Sequence, residues 1–212
     1  FTGETAKPEK KEVDFEMNYE IKEGCMVVAD VTPIGYTGDY YFDVLNSIQV
    51  KDYLDNMDFL NDEPRVVEYW WANAVQEMMK DMSGADIIAN FTCVGEYADG
   101  TPKSQYEFEL LANHDYYLFA FAMEENGLCC STPKVVKFTT GDVAMSDNVI
   151  TPTVSELTSR TAKFTFTTTN DDYYVAGWEK AADWSTYGSN DAERQEYLLH
   201  NMSYALLKGD AE

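Results

Sequence analysis

The sequence predicts a mainly β protein with α insertions: an antiparallel β-sandwich with a helical insertion after its third strand, followed by a partial second copy. Three observations carry this. Short runs alternate apolar and polar residues with a period of two, bounded by turn residues. Aromatics make up 14% of the 212 residues, and flat or branched side chains suit a pleated surface. The pattern of the first 142 residues also restarts near Val149.

The run Glu4 to Asp14 is polar and charged, and residues 1–12 read as a tether. Phe15, Met17, Tyr19 and Ile21 then alternate with Glu16, Asn18 and Glu20, which predicts the first strand. Glu23-Gly24 is a turn signal. Cys25, Val27, Ala29 and Val31 alternate again until Pro33, and Ile34 to Gly38 reads as a loop. Tyr40 to Leu45 is the third strand.

The period then changes. Ile48, Tyr53, Leu54 and Met57 fall at helical spacing. Asn61-Asp62-Glu63-Pro64 combines capping groups, acids at the positive end of a helix dipole and a first-turn proline. Val67, Trp70, Trp71, Ala74, Val75, Met78 and Met82 follow on one face, predicting a helix over Arg65–Met82 that Ser83-Gly84 closes. The helical insertion thus spans 46–84. Lengthening a loop from about 10 to about 60 residues costs only about 1.6 kcal/mol of closure entropy. One buried aromatic offsets that, at roughly 1.5–3 kcal/mol, so the helix is expected to dock on the sandwich.

Strands are expected again over Ile87–Tyr97, Tyr106–Leu111 and Asp115–Met123, with Asp99-Gly100 as a hairpin turn. Both faces of 115–123 are apolar, which predicts a central strand covered on both sides. Glu125-Asn126-Gly127 turns the chain, and Val135, Val136 and Phe138 end the sandwich, which runs over 13–142. In the second copy, 149–212, Ala162, Phe164, Phe166 and Thr168 repeat the alternation of Cys25, Val27, Ala29 and Val31. Asp172-Tyr173-Tyr174-Val175 echoes Asp39-Tyr40-Tyr41-Phe42, so strands are expected within 150–178. Asn190, three residues before Glu193, starts a helix expected over 190–207. This copy has no counterpart of Tyr106 to Phe138, and three strands with one helix leave apolar surface and a sheet edge uncovered.

The formal charge of −23, from 38 acidic and 15 basic residues, repels phosphate backbones and anionic lipid, so no nucleic-acid partner is expected. No run approaches the ~18 apolar residues of a membrane helix, so no direct membrane insertion is expected. Cys25, Cys93, Cys129 and Cys130 form no CxxC pair, and with only His114 and His200 a Cys/His metal site is not expected. Cys25 lies in an apolar run and reads as a buried free thiol. Cys129 and Cys130 should face opposite ways if extended, and one disulfide of undetermined pairing is open. No phosphate-binding loop and no dinucleotide fingerprint occur, and no cofactor is expected. Asp62-Glu63 and Asp171-Asp172 read as helix-start and turn residues rather than a catalytic pair. Trp70 and Trp71 lie about 100° apart on their helix, with core packing as the plain reading. The sharper reading is that one tryptophan per repeat, Trp71 and Trp184, is exposed and stacks on a sugar or a partner.

Leu110, Ala112, His114 and Tyr116 sit where fibronectin type III-like domains carry Leu-x-Pro-x-Thr-x-Tyr. Tyr116, Leu118 and Ala120 resemble that family's Tyr-x-Val-x-Ala strand, Asn126-Gly127 its next hairpin, and Phe138-Thr139-Thr140 its closing Phe-Thr-Thr. Ala112 replaces the proline, His114 the threonine, and the second strand has Val27 or Ala29 where the family carries tryptophan. With its helical insertion the chain resembles tandem domains of Bacteroidetes surface and periplasmic lipoproteins. That resemblance implies export, a lipid anchor attached before Phe1, and a part in binding or assembly. The expected function is a non-enzymatic extracytoplasmic binding or spacer module with a protein or glycan ligand. The alternative is an accessory region of a longer surface enzyme such as a polysaccharide hydrolase.

Overall fold

The computed structural model describes residues 10–57, 61–144, 146–172, 174 and 176–198. The protein is mixed α and β with small antiparallel sheets. It divides into two compact units, Phe1–Asp142 and Val143–Glu212.

In the first unit, β1 (Asp14–Lys22), β2 (Met26–Ile34) and β4 (Gln105–Glu109) form one sheet in the order β1-β2-β4. β3 (Tyr40–Asn46), β5 (Asp115–Ala122) and β6 (Lys134–Thr139) form a second, in the order β3-β5-β6. The period-two runs account for both. Phe15, Val27, Ala29, Val31 and Phe108 from the first sheet share a buried core with Tyr40, Phe42, Tyr116, Leu118, Ala120 and Phe138 from the second. The Tyr40 hydroxyl donates to the Val31 carbonyl at 2.9 Å, tying the sheets together. β2 continues through Pro33 because β4 pairs only with Met26 to Asp30, so no ladder partner asks for the missing N–H.

The chain between β3 and β4 makes three helices, α1 (Ser47–Met57), α2 (Glu63–Met78) and α3 (Gly84–Phe91). The predicted start of α2 holds: the Asp62 carboxylate accepts from the Arg65 N–H at 3.1 Å, with Pro64 in the first turn. The helices cover the other face of β3-β5-β6, where Leu45, Phe119, Phe121 and Met123 meet Val50, Val66, Val67, Trp71, Val75 and Ile87. β5 is thus apolar on both faces because it is covered on both.

One expected strand is a helix. Residues 87–91 lie in α3, and the insertion's helices run to Phe91 rather than ending at 84. Helix α2 ends at Met78 rather than at the expected Met82, and Ser83-Gly84 starts α3 instead of closing α2. Ser83 accepts from the Asp86 N–H at 3.2 Å and its own N–H donates to the Asp86 carboxylate at 3.0 Å, a capping box that starts α3.

In the second unit, β7 (Thr151–Ser155) and β8 (Lys163–Thr167) form an antiparallel hairpin. Asp172, Tyr174 and Ala176 are not in a strand, contrary to expectation, while Tyr173 and Val175 lie outside the described residues. A short helix α4 (Ala181–Trp184) and a 3-10 turn (Ser185–Tyr187) follow. Residues 191–198 are helical, and the Asn190 side chain caps them by accepting from the Glu193 N–H at 3.0 Å. The rest of the helix expected over 190–207, with His200, lies outside the described residues.

Candidate functional site

A cleft of about 480 Å³ opens at one end of the first unit, lined by Lys11, Tyr36, Asp39, Glu124, Glu125 and Asn126. Three stretches build it: the segment before β1, the loop from β2 to β3, and the hairpin from β5 to β6. Local chemistry holds each in place. The Lys11 N–H donates to the Cys130 carbonyl, at 2.6 Å, and pins the first stretch. In the second, the Tyr36 ring lies directly over Gly38, so that a Cβ there would displace it. In the third, the Gly127 N–H donates to the Glu124 carbonyl at 2.7 Å and Gly127 takes φ +81°, a turn that needs glycine.

The helical insertion clamps this hairpin from behind. The Trp71 indole N–H donates to the Gly127 carbonyl at 2.7 Å, and Gly84 at the start of α3 packs directly on the Asn126 backbone. Asp39 is tied in as well: its carboxylate accepts from the Thr92 hydroxyl at 2.8 Å and its carbonyl from the Met123 N–H at 2.8 Å.

Within the cleft, the Lys11 ammonium lies 3.6 Å from the Glu124 carboxylate and 5.9 Å from the centre of the Tyr36 ring. The Cys130 sulfur, Tyr36 and Glu124 all raise the lysine's pKa, so it stays charged. Burial, then Cys130, pushes the Tyr36 phenol up. Burial holds the nearby thiols in the protonated form. Burial pushes Cys129 up to about 12 and Cys93 up to about 11, and raises Cys130 too, whereas a nucleophilic cysteine needs a lowered pKa. All four cysteines are free. Cys25 is half-buried rather than fully enclosed. Among the described residues, no group of three or more His, Cys, Asp or Glu side chains is placed to hold a metal.

A second polar feature lies under the insertion. The Tyr41 hydroxyl donates to the Asp43 carboxylate at 2.5 Å, and the Val44 N–H donates to it at 2.7 Å. Burial pushes the Asp43 carboxyl above its usual range, with these hydrogen bonds opposing. Because the folded pKa is the raised one, the contribution is fully present below the unfolded value of 3.8 and is lost as pH rises through the folded value. Asp43→Asn should therefore gain on the natural protein as pH rises from 4 to 7, read as the difference in urea midpoints. Equal pH slopes for the two proteins would refute this.

The two tryptophans expected to stack on a ligand part company. Trp71 is 1% exposed and packs against Tyr41, Phe91 and Phe121 with ring centres 4.7, 5.5 and 5.4 Å away. It is a core residue and is not placed to meet a ligand. Trp184 is 36% exposed, with the Arg194 guanidinium 5.7 Å over its ring and Tyr187 at its edge. Trp178, at 74%, is the more open ring. His114 sits at the turn before β5, its Nδ1 2.6 Å from the Ala112 carbonyl. None of the cleft residues had been singled out by the sequence as a candidate.

No protein-family model, curated protein or solved structure matches the chain. No helix among the described residues is long and apolar enough to cross a membrane.

Proposed function

We propose that the chain is a non-catalytic binding module of a secreted or cell-surface protein, and that a glycan binds in the cleft between the 35–39 loop and the 124–128 hairpin. One observation carries this reading. Acceptor and donor groups (Asp39, Glu124, Glu125, Asn126 and Lys11) surround one aromatic ring, Tyr36, in a cleft whose walls are fixed from behind. Sugar recognition uses this combination of a ring for C–H faces and polar groups for hydroxyls. The two carboxylates with named partners are already engaged, Glu124 by Lys11 and Asp39 by Thr92, and the thiols are protonated, so the cleft suits holding a ligand rather than transforming one.

The finer fold belongs to the same proposal. The first unit is a fibronectin type III-like β-sandwich with a helical insertion. Supporting it are the orders β1-β2-β4 and β3-β5-β6 around one core, and the Tyr116 hydroxyl, which accepts from the Leu111 N–H at 2.9 Å as a tyrosine corner does. On that reading the cleft lies at the end where two of the binding loops of variable immunoglobulin domains sit.

The test is a glycan screen of the whole chain followed by calorimetry on any hit. Tyr36→Ala and Asn126→Ala should each weaken binding at least roughly tenfold, as central contacts do; Asn126→Ala also removes the acceptor of the Leu128 N–H and should lower the thermal midpoint slightly, whereas Tyr36→Ala should not. Binding that survives both substitutions would place the ligand elsewhere. Absence of any hit across neutral glycans would overturn the glycan assignment.

A further inference from the structure

We propose that the edge of β8 that stands unpaired among the described residues is a strand-docking site, and that it takes an extended segment of a partner protein in which apolar and acidic residues alternate. The first hairpin of each unit, β1–β2 and β7–β8, shares a register. In the first unit Ile21 stands opposite Val27 and Tyr19 opposite Ala29. In the second Val154 stands opposite Phe164 and Pro152 opposite Phe166. Phe164 therefore takes the place of Val27, and Phe166 that of Ala29.

In the first unit, the other edge of β2 is occupied. β4 lies along it with Phe108 opposite Val27, Glu109 opposite Met26 and Glu107 opposite Val28, and Val27 and Phe108 are buried. Among the described residues β8 pairs with β7 alone, and Phe164 and Val154 are 46% and 56% exposed. An edge of this kind offers unpaired N–H and C=O groups to an incoming strand.

Charge selects which strand. The hairpin over 151–167 holds two basic side chains, Arg160 and Lys163, against one acid, Glu156, in a chain of 38 acids and 15 bases. Lys163 stands where Met26 does, so the residue facing it corresponds to Glu109. Its present ion pair with Glu156, at 3.4 Å with both side chains well exposed, is weak. An ammonium has three donors, so a cross-strand carboxylate can be added. An apolar residue next to that acid meets Phe164, as Phe108 meets Val27. Two copies joined through β8 would instead bring two basic segments together, which disfavours a second copy of this chain as the occupant.

The probe is a synthetic peptide, Ser-Gln-Tyr-Glu-Phe-Glu-Leu, which copies residues 104–110, titrated into the full chain and followed by amide shifts and hydrogen exchange. Saturable shifts and slowed exchange confined to 163–167 are expected, with the first unit unchanged. Replacing both glutamates of the peptide by lysine should weaken binding roughly fivefold. Lys163→Glu should reverse the preference between the two peptides. Shifts that do not saturate, equal binding of both peptides, or self-association of the chain through β8 would each overturn the proposal. Tyr36 takes no part in it, so its failure leaves the cleft reading standing.

Discussion

Replacing Trp71 by alanine is expected to destabilise the first unit by about 3–5 kcal/mol, the range for removing a large buried aromatic. The indole is flanked by four aromatic rings, Tyr41, Trp70, Phe91 and Phe121, and bonded through its N–H to Gly127, so the space left behind cannot collapse without moving β3, β5 and α3 together. The thermal midpoint should fall by roughly 10–20 °C. Trp71→Phe keeps most of the volume but leaves the Gly127 carbonyl unpaired, which costs about 1–3 kcal/mol. Urea unfolding followed by far-ultraviolet circular dichroism measures both. The same substitutions loosen the hairpin that carries Glu124, Glu125 and Asn126, so ligand affinity in the cleft should fall further than the truncation of a remote residue would predict. A loss under 1 kcal/mol for Trp71→Ala would contradict the packing described.

Trp71 carries two readings in the sequence, core packing and ligand stacking, and its burial decides for the first. Its helix face was plain, with Val67, Trp71, Val75 and Met78 in step, but Trp70 and Trp71 share that face and differ only in what lies above them. What lies above Trp71 is Gly127, 56 residues further along, and no local pattern reports a partner at that distance. The strands were legible because each carries its own alternation and its own turn, as at Glu23-Gly24 between β1 and β2 and Asn126-Gly127 between β5 and β6. Cross-strand neighbours then follow almost automatically once hairpins close. α3 was misread for a local reason. Ile87-Ile88 and Phe91 suit either element, and the Ser83–Asp86 capping box that decides for a helix begins at the same Ser83-Gly84 that reads as a helix end. The cleft was invisible for the opposite reason. Lys11, Tyr36, Asp39 and the 124–126 stretch meet only because two sheets and three helices fold first, and each alone looks like an ordinary loop residue.

The second large effect belongs to Gly127. Alanine there faces two penalties of different origin. The backbone sits at φ +81°, where an L side chain costs about 1–2 kcal/mol. The new methyl would also lie 2.6 Å from Cγ2 of Ile87 and 3.2 Å from its Cβ, and overpacking of this kind adds about 1–3 kcal/mol. Gly127→Ala should therefore lose about 2–5 kcal/mol. Ile87→Ala alone opens a cavity beneath α3 and should lose about 2–5 kcal/mol by the usual truncation term. Combined, they should not add. Removing Cγ2 relieves the closer contact while the inserted methyl partly fills the cavity, so the double variant should be more stable than the sum of the two losses by about 1–2 kcal/mol. Relief stays incomplete because the Cβ of residue 87 remains and the backbone strain is untouched. A thermodynamic cycle from urea denaturation reads this directly. Strict additivity would mean that α3 and the hairpin are not in contact at Gly127, and the cleft wall would then rest on Trp71 without Ile87.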